Sequence, residues 1–197
     1  MSYLLNRKIK ILALATSHNR KRITINSITS LKKFSLLKNV NLKIYIVDDG
    51  STDGTSEAIK KKFKDVNIIS GNGNLFWCQG MIYGFKKMIK KEKSFDFILP
   101  FNDDVYFYKN FLKNLILTYY NNKYKNSSLI IVGSTCDTQT KKLNQGGLVK
   151  KSFLNPLSFK LIKNIKSQKS CDTFNMNCIL VHNSVIKKIG FLSKNYR

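Results

Sequence analysis

The stretch Ile44-Tyr45-Ile46-Val47-Asp48-Asp49-Gly50-Ser51-Thr52-Asp53-Gly54-Thr55 restricts the folds open to this chain more than any other. A β-branched apolar run ends in two carboxylates. Glycines and small hydroxyl residues follow, and Ala58, Ile59 and Phe63 then recur at helical spacing. The pattern predicts a buried strand, a tight loop and a helix. In open α/β folds such loops gather at the carboxyl ends of parallel strands, where ligands bind. Adjacent carboxylates repel each other there and are costly to desolvate, so they read as acceptors aimed at a ligand. The plainer alternative is a surface turn in which Asp48 and Asp49 only cap the helix.

The same grammar recurs along the chain. Residues 8–15 form an apolar strand, and Thr16-Ser17-His18-Asn19-Arg20 is the loop at its carboxyl end. A helix follows with Ile28, Leu31 and Phe34 on one face. Strands are predicted over 42–47, 66–70, 95–101 and 129–133, with an amphipathic helix through Phe111, Leu112, Leu115, Ile116 and Tyr119. Alternating strands and helices predict an α/β domain whose mostly parallel sheet is covered on both faces. Beyond residue 133 the signals weaken. Asn144-Gln145-Gly146-Gly147 reads as a turn between short strands, and residues 150–169 are basic and irregular around Pro156. Residues 173–182 read as one strand, with Asn183 capping a short helix that Gly190 ends. The 197 residues suit one domain, with residues 1–133 as an α/β ligand-binding half and 134–197 as a second, smaller β-containing half.

Composition narrows the partners. The net charge is +24, from 35 Lys+Arg against 11 Asp+Glu, which permits nucleic acid, an anionic membrane or phosphorylated ligands. No run of apolar residues is long enough to span a bilayer, and the first residues lack a signal-peptide core, so a cytoplasmic location is expected. Cys78, Cys136, Cys171 and Cys178 form no CxxC pair, and His18 and His182 are the only histidines, which gives zinc little support.

Three further segments could carry chemistry. Thr16 offers a hydroxyl, Asn19 an amide and Arg20 a fork suited to phosphate; alternatively this loop merely caps the next helix. Asn102-Asp103-Asp104 again ends an apolar strand in carboxylates. Hard oxygen ligands there suit Mg²⁺ or Mn²⁺, which bridges a diphosphate, although a helix cap would use the same residues. Between the two carboxylate pairs, residues 71–81 (GNGNLFWCQGM) combine glycines that let a ligand approach the backbone with Asn74 and Trp77. No GK[ST] follows, so this is no P-loop.

Taken together, DDGSTDGT after an apolar strand, TSHNR, NDD and the G-x-G-x-L-x-W-x-x-G-M segment resemble family 2 glycosyltransferases of the GT-A fold. Gln145-Gly146-Gly147, residues 171–178 and Lys188-Ile189-Gly190-Phe191-Leu192 are similar to the acceptor-side half of bacterial polysaccharide and rhamnosyltransferase-like members. The resemblance implies a GT-A-like domain that binds a nucleotide-sugar donor. Thr16 would contact the base, and Asp49 would accept a hydrogen bond from uracil or another base. Asp103 would reach ribose or metal, Asp104 would ligate Mn²⁺ or Mg²⁺, and the segment holding Asn74 and Trp77 would lie near the donor. It implies inverting transfer to a glycan or lipid-linked hydroxyl; separately, the basic surface would suit a position peripheral to an anionic membrane. The chain departs from the family at Ile82, where many members are polar. The family's catalytic base is an Asp or Glu shortly after the Gly190-Phe191-Leu192 region, yet no carboxylate lies between Thr173 and Arg197. The base is therefore expected beyond Arg197 and the chain is expected to be C-terminally incomplete. A basic nucleic-acid-binding module is the rival reading, but strand-end carboxylate pairs would repel phosphates without a metal. An inactive ligand-binding fragment is the third.

Overall fold

The computed structural model describes residues 7–123, 128–137, 139–152, 154–163, 167–193 and 195. Strands β1 (Ile9–Ser17), β2 (Val40–Asp48), β3 (Val66–Ser70) and β4 (Phe97–Pro100) alternate with helices α1 (Lys21–Phe34), α2 (Thr55–Lys62) and α3 (Phe76–Lys91). After β4 come α4 (Phe111–Asn122), β5 (Ile130–Val132), β6 (Thr135–Cys136), β7 (Leu143–Gln145), β8 (Gly147–Lys150) and β9 (Phe159–Leu161). The last elements are β10 (Thr173–Phe174), β11 (Ile179–His182) and α5 (Asn183–Ile189). The main sheet has the order β3-β2-β1-β4-β11-β5; β1 to β4 are mutually parallel, and β11 runs antiparallel to both neighbours. Two small antiparallel sheets, β10-β8-β9 and β6-β7, complete the fold. The mostly parallel α/β sheet flanked by helices, with small antiparallel sheets beside it, is the architecture the sequence predicts, although β11, from the second half of the chain, inserts into the main sheet.

The two-residue alternation of β1 builds two cores. Ile9, Ile11, Ala13 and Ala15 face one layer with Ile28 and Leu31 of α1, Ile59 of α2 and Leu112 and Ile116 of α4. Leu12 and Leu14 face the other with Tyr45, Val47, Ile98 and the α3 residues Met81 and Met88. Helix α3 lies so close to the sheet that a Cβ on Gly80 would stand 2.5 Å from Thr16 Cγ2, and one on Gly84 would stand 2.4 Å from Val47 Cγ2. Those contacts fix the height of α3 above the carboxyl ends of β1 and β2.

Two sequence expectations are corrected here. Residues 173–182 are two strands in different sheets: β10 pairs with β8, and β11 pairs with β4 and β5. Asn175 backs onto Gly146 and Asn177 onto Asn102, so the chain crosses between the sheets through side-chain and backbone bonds. The cap of α5 is His182, whose Nδ1 accepts from the Ser184 amide at 3.3 Å. The Asn183 amide instead donates to the Phe95 carbonyl at 2.7 Å.

At the amino end of the sheet lies a buried ion cluster. Glu92, just past α3, accepts from Lys10 at 2.8 Å, Lys43 at 2.8 Å and the Tyr45 hydroxyl at 2.5 Å. Burial pushes its carboxyl up, but the bonds from the two lysines and the tyrosine outweigh that and hold it down at about 2.

Candidate functional site

The carboxyl ends of β1, β2 and β4 converge on one edge, because all three strands run the same way. Each predicted residue lies on or just behind that edge, in distinct settings. Asp48 and Asp49 diverge as strand alternation requires. Asp48 is buried and accepts from the Ser51 amide at 3.1 Å and from the Ser56 hydroxyl. Asp49 is also buried, and its oxygens accept from the amides of Gly73 at 2.8 Å, Leu75 at 2.8 Å and Phe76 at 3.0 Å. Helix α3 has no capping side chain of its own; Asp49, from the neighbouring loop, supplies the negative charge its N-terminus favours. Phe76 takes φ 54° to deliver its amide, a left-handed geometry that strains a residue with a bulky side chain.

Asn19 and His18 stitch the first loop to the second. Asn19 Oδ1 accepts from the Thr52 amide at 2.7 Å, and the Asn19 amide donates to Ser51 Oγ at 2.9 Å. His18 Nδ1 lies 2.5 Å from the Asp49 carbonyl, while its Nε2 lies 3.1 Å from Asn19 Nδ2. Since a carbonyl only accepts, the ring carries its proton on Nδ1 and accepts at Nε2. Asp53 caps two helices at once, taking the Lys21 amide at 2.9 Å and the Thr55 amide at 3.0 Å. Thr16 is packed beneath α3, and its hydroxyl is buried with no hydrogen-bond partner among the described residues. The structure thus does not bring Thr16 Oγ1 to the open surface of the cleft.

The open part of the site is built by β4. Asp103 is buried, Asp104 is 44% exposed, and Arg20 bridges them: Nη1 donates to Asp103 at 2.8 Å and Nη2 to Asp104 at 3.1 Å. Behind Asp103, Ser17 bonds Thr24 at 2.7 Å, and Thr24 donates to Asp103 at 3.3 Å. Burial pushes the Asp103 carboxyl above its ordinary range, against the pull of the Ser17 hydroxyl and of Arg20. Trp77 Nε1 donates to Asn102 Oδ1 at 3.0 Å, and Asn102 donates to Asn177 at 3.0 Å. Asn177 in turn donates to Gln145. This relay ties the start of α3 to the second half of the chain. Asn177, Ser17 and Thr24 carry no local signal of a site role, and Asn102, read from sequence as the first member of the Asn102-Asp103-Asp104 segment, ties that segment to Trp77 and Asn177; these partners lie 25 or more residues away or, for the Ser17–Thr24 pair, across a helix start. Asn74 lies exposed on the loop beside them.

A cavity of about 1300 Å³ has Asp104 in its wall. Tyr106, Tyr108, Gln145, Gly147 and Asn177 are among its walls, and the Tyr106 and Tyr108 rings meet edge to face at 5.4 Å. No cluster of three or more His, Cys, Asp or Glu exists among the described residues. The donor set is therefore two carboxylates and an amide oxygen, all hard ligands, and the guanidinium of Arg20 offsets only one of their two charges. That chemistry fits a divalent ion held weakly by the protein and completed by ligand oxygens.

The sequence model of "Glycosyl transferase family 2" matches residues 14–190. A mannosyltransferase from Pyrobaculum calidifontis, solved with GDP-mannose and Mn²⁺, aligns over 95% of this chain and 48% of its own, with TM-score 0.57 and 10% identity. The Staphylococcus aureus protein TarS, residues 1–349, aligns over 91% of this chain and 49% of its own, with TM-score 0.53 and 16% identity. These likenesses show the fold, and the chain spans about a third to a half of the length of such neighbours. No curated protein sequence matches the chain.

Proposed function

This chain belongs to glycosyl transferase family 2, and we propose that it takes a sugar from a nucleoside diphosphate donor to a hydroxyl of a glycan or lipid-linked acceptor, with inversion at the anomeric carbon. The observation that carries this reading is the strand-end pair Asp103–Asp104, bridged by Arg20, with Asp104 in the wall of the 1300 Å³ cavity. A neighbour of the same fold was solved with GDP-mannose and Mn²⁺.

In this reading the nucleoside lies over the loops carrying Asn19, Asp49 and Asn74. Asp49 fixes residues 73–76 and keeps one acceptor position for the base, since a carboxylate offers about four. Asp104 and Asp103 would hold Mn²⁺ or Mg²⁺, which would supply charge neutralisation for the departing diphosphate. Arg20, which bonds both carboxylates, would turn to the donor phosphates as those oxygens are taken up. Tyr106 and Tyr108 offer ring faces and edges to an acceptor sugar. The acceptor hydroxyl attacks the anomeric carbon, the bond to the diphosphate oxygen breaks, and the acceptor proton passes to a base.

The described residues offer that proton poor acceptors. His182 pairs with Phe97 at the opposite end of β4, five residues and roughly 16 Å of strand from Asn102. Asp137 lines the cavity, but the Thr140 amide and hydroxyl hold its carboxyl below the ordinary range. Binding of donor with slow transfer is thus the expected behaviour, because general-base help is worth about 10²–10⁴-fold. Trp77 is the only tryptophan and sits in the site, so its fluorescence reports binding directly. Titration with a panel of UDP-, GDP- and dTDP-sugars in Mn²⁺ should give a saturable change with at least one. A folded protein whose Trp77 responds to none of them contradicts the proposal.

A further inference from the structure

We propose that the β8–β9 hairpin is a membrane-contact element that seats on an anionic lipid surface. Its tip carries Leu154 at 98% exposure and Leu157 at 87%, the two most exposed large hydrophobic residues among those described. They are held there. Lys151 N donates to the Ser158 carbonyl at 2.8 Å and Ser158 N to the Asn155 carbonyl at 3.2 Å. Leu154 N donates to Ser152 Oγ at 3.2 Å, and Leu157 N to Asn155 Oδ1 at 3.1 Å. The backbone is tied at Leu154, Leu157 and Ser158, and both leucine side chains are presented outward.

Charge decides the occupant. Lys150, Lys151, Lys160 and Lys163 are exposed beside the tip, Lys150 sitting directly opposite the exposed Phe159. Between residues 143 and 172 six lysines face one carboxylate, Asp172, and that carboxylate is engaged by the Lys150 amide at 2.8 Å. Apolar side chains flanked by lysines match an acyl boundary beneath anionic headgroups. A second copy would oppose lysines to lysines, and two leucines fall far short of the ~800 Å² per partner that a stable interface needs. Nucleic acid would use the lysines but has no place for exposed leucines. The other end of the hairpin, Gly147 and Ile162, lines the same cavity as Asp104. If the transfer reading above is correct, the hairpin holds the acceptor side against the inner face of the cell membrane, where lipid-linked acceptors reside.

The test is vesicle co-sedimentation of the whole chain with phosphatidylcholine alone and with phosphatidylcholine containing phosphatidylglycerol. The wild type should partition onto the anionic vesicles and leave them as salt rises. Leu154→Ser/Leu157→Ser and Lys151→Glu/Lys160→Glu should each lower that partition by about tenfold or more, with unchanged circular dichroism and Trp77 response to donor. Partition of the leucine variant equal to wild type would overturn the proposal and assign binding to diffuse charge. A wild-type dimer that the leucine substitutions dissolve would overturn it in favour of self-association, as would leucine-independent binding to duplex DNA in favour of nucleic acid. Vesicle binding is read without donor, so its failure leaves the transfer reading intact, and the reverse holds.

Discussion

Asp49→Ala is expected to destabilise the protein by about 3–5 kcal/mol and to abolish nucleotide binding. The buried carboxylate accepts three amides, from Gly73, Leu75 and Phe76, and each hydrogen bond to a charged group is worth about 1.5–3 kcal/mol. Alanine leaves three donors facing a void at the start of α3, and a mobile loop 71–76 also removes the wall that carries Asn74 and Trp77. Asp49→Asn separates the two effects. One amide oxygen keeps either the Gly73 bond or the Leu75 and Phe76 pair, so about half the stability loss should return. The base-facing acceptor would stay lost. Urea unfolding gives the first quantity, with an unchanged slope as the sign that compactness is retained. Calorimetry with nucleoside diphosphates gives the second. An Asp49→Ala protein as stable as wild type would show that loop 71–76 holds itself.

The second large effect is remote from the site. Glu92 is held at about 2, well under its unfolded value of ~4.3. A depressed carboxylate contributes stability that is complete above the unfolded pKa and is lost as pH falls through the folded one. Here the window runs from about pH 4.5 down to about 2, and about 3 kcal/mol is at stake. Tyr45 works in the opposite sense: burial and Glu92 raise its pKa, so its contribution is intact below pH ~10 and fades above it. Glu92→Gln should cost about 3 kcal/mol at pH 7, because Lys10 and Lys43 lose their shared counter-charge, and should flatten the acid limb of stability against pH. The same acid limb in Glu92→Gln as in wild type would show that other carboxylates carry it.

How much of this was legible in the sequence differs by element. β1, β2 and β4 are β-branched or apolar runs that end in polar loops, and local pattern sufficed because both faces of each strand are buried. The division of residues 173–182 was hidden, since Thr-Phe-Asn-Met-Asn-Cys alternates as a single half-buried strand would. Only the distant partners Gly146 and Asn102 reveal the crossing. The cap of α5 was misassigned for the same reason: Asn outranks His at that position, but the Phe95 carbonyl, 88 positions away, claims the Asn183 amide. In the site, two strand-end carboxylate pairs were visible, and the structure brings their loops to one edge. Which carboxylates would be consumed internally was not visible. Asp48 and Asp49 serve loops and a helix start, and Asp53 caps two helices. Arg20 could be read as a phosphate ligand from its type, yet its pairing with Asp103 and Asp104 spans 83 and 84 positions and leaves no local signature.

That pairing bears on the central proposal, a diphosphate and a metal bound together at Asp104. Calorimetric titration of UDP and GDP with and without Mn²⁺ tests it most directly. In that proposal Arg20 would compete with the metal for Asp104 until a diphosphate offered it another anion, so each ligand should raise the other's affinity by the same factor, about tenfold or more. Asp104→Asn should erase the coupling. Arg20→Gln should bind Mn²⁺ more tightly than wild type in the absence of nucleotide while losing most of the coupling. Affinity for every nucleoside diphosphate that is the same with and without Mn²⁺, or an Asp104→Asn protein with unaltered coupling, would contradict the account.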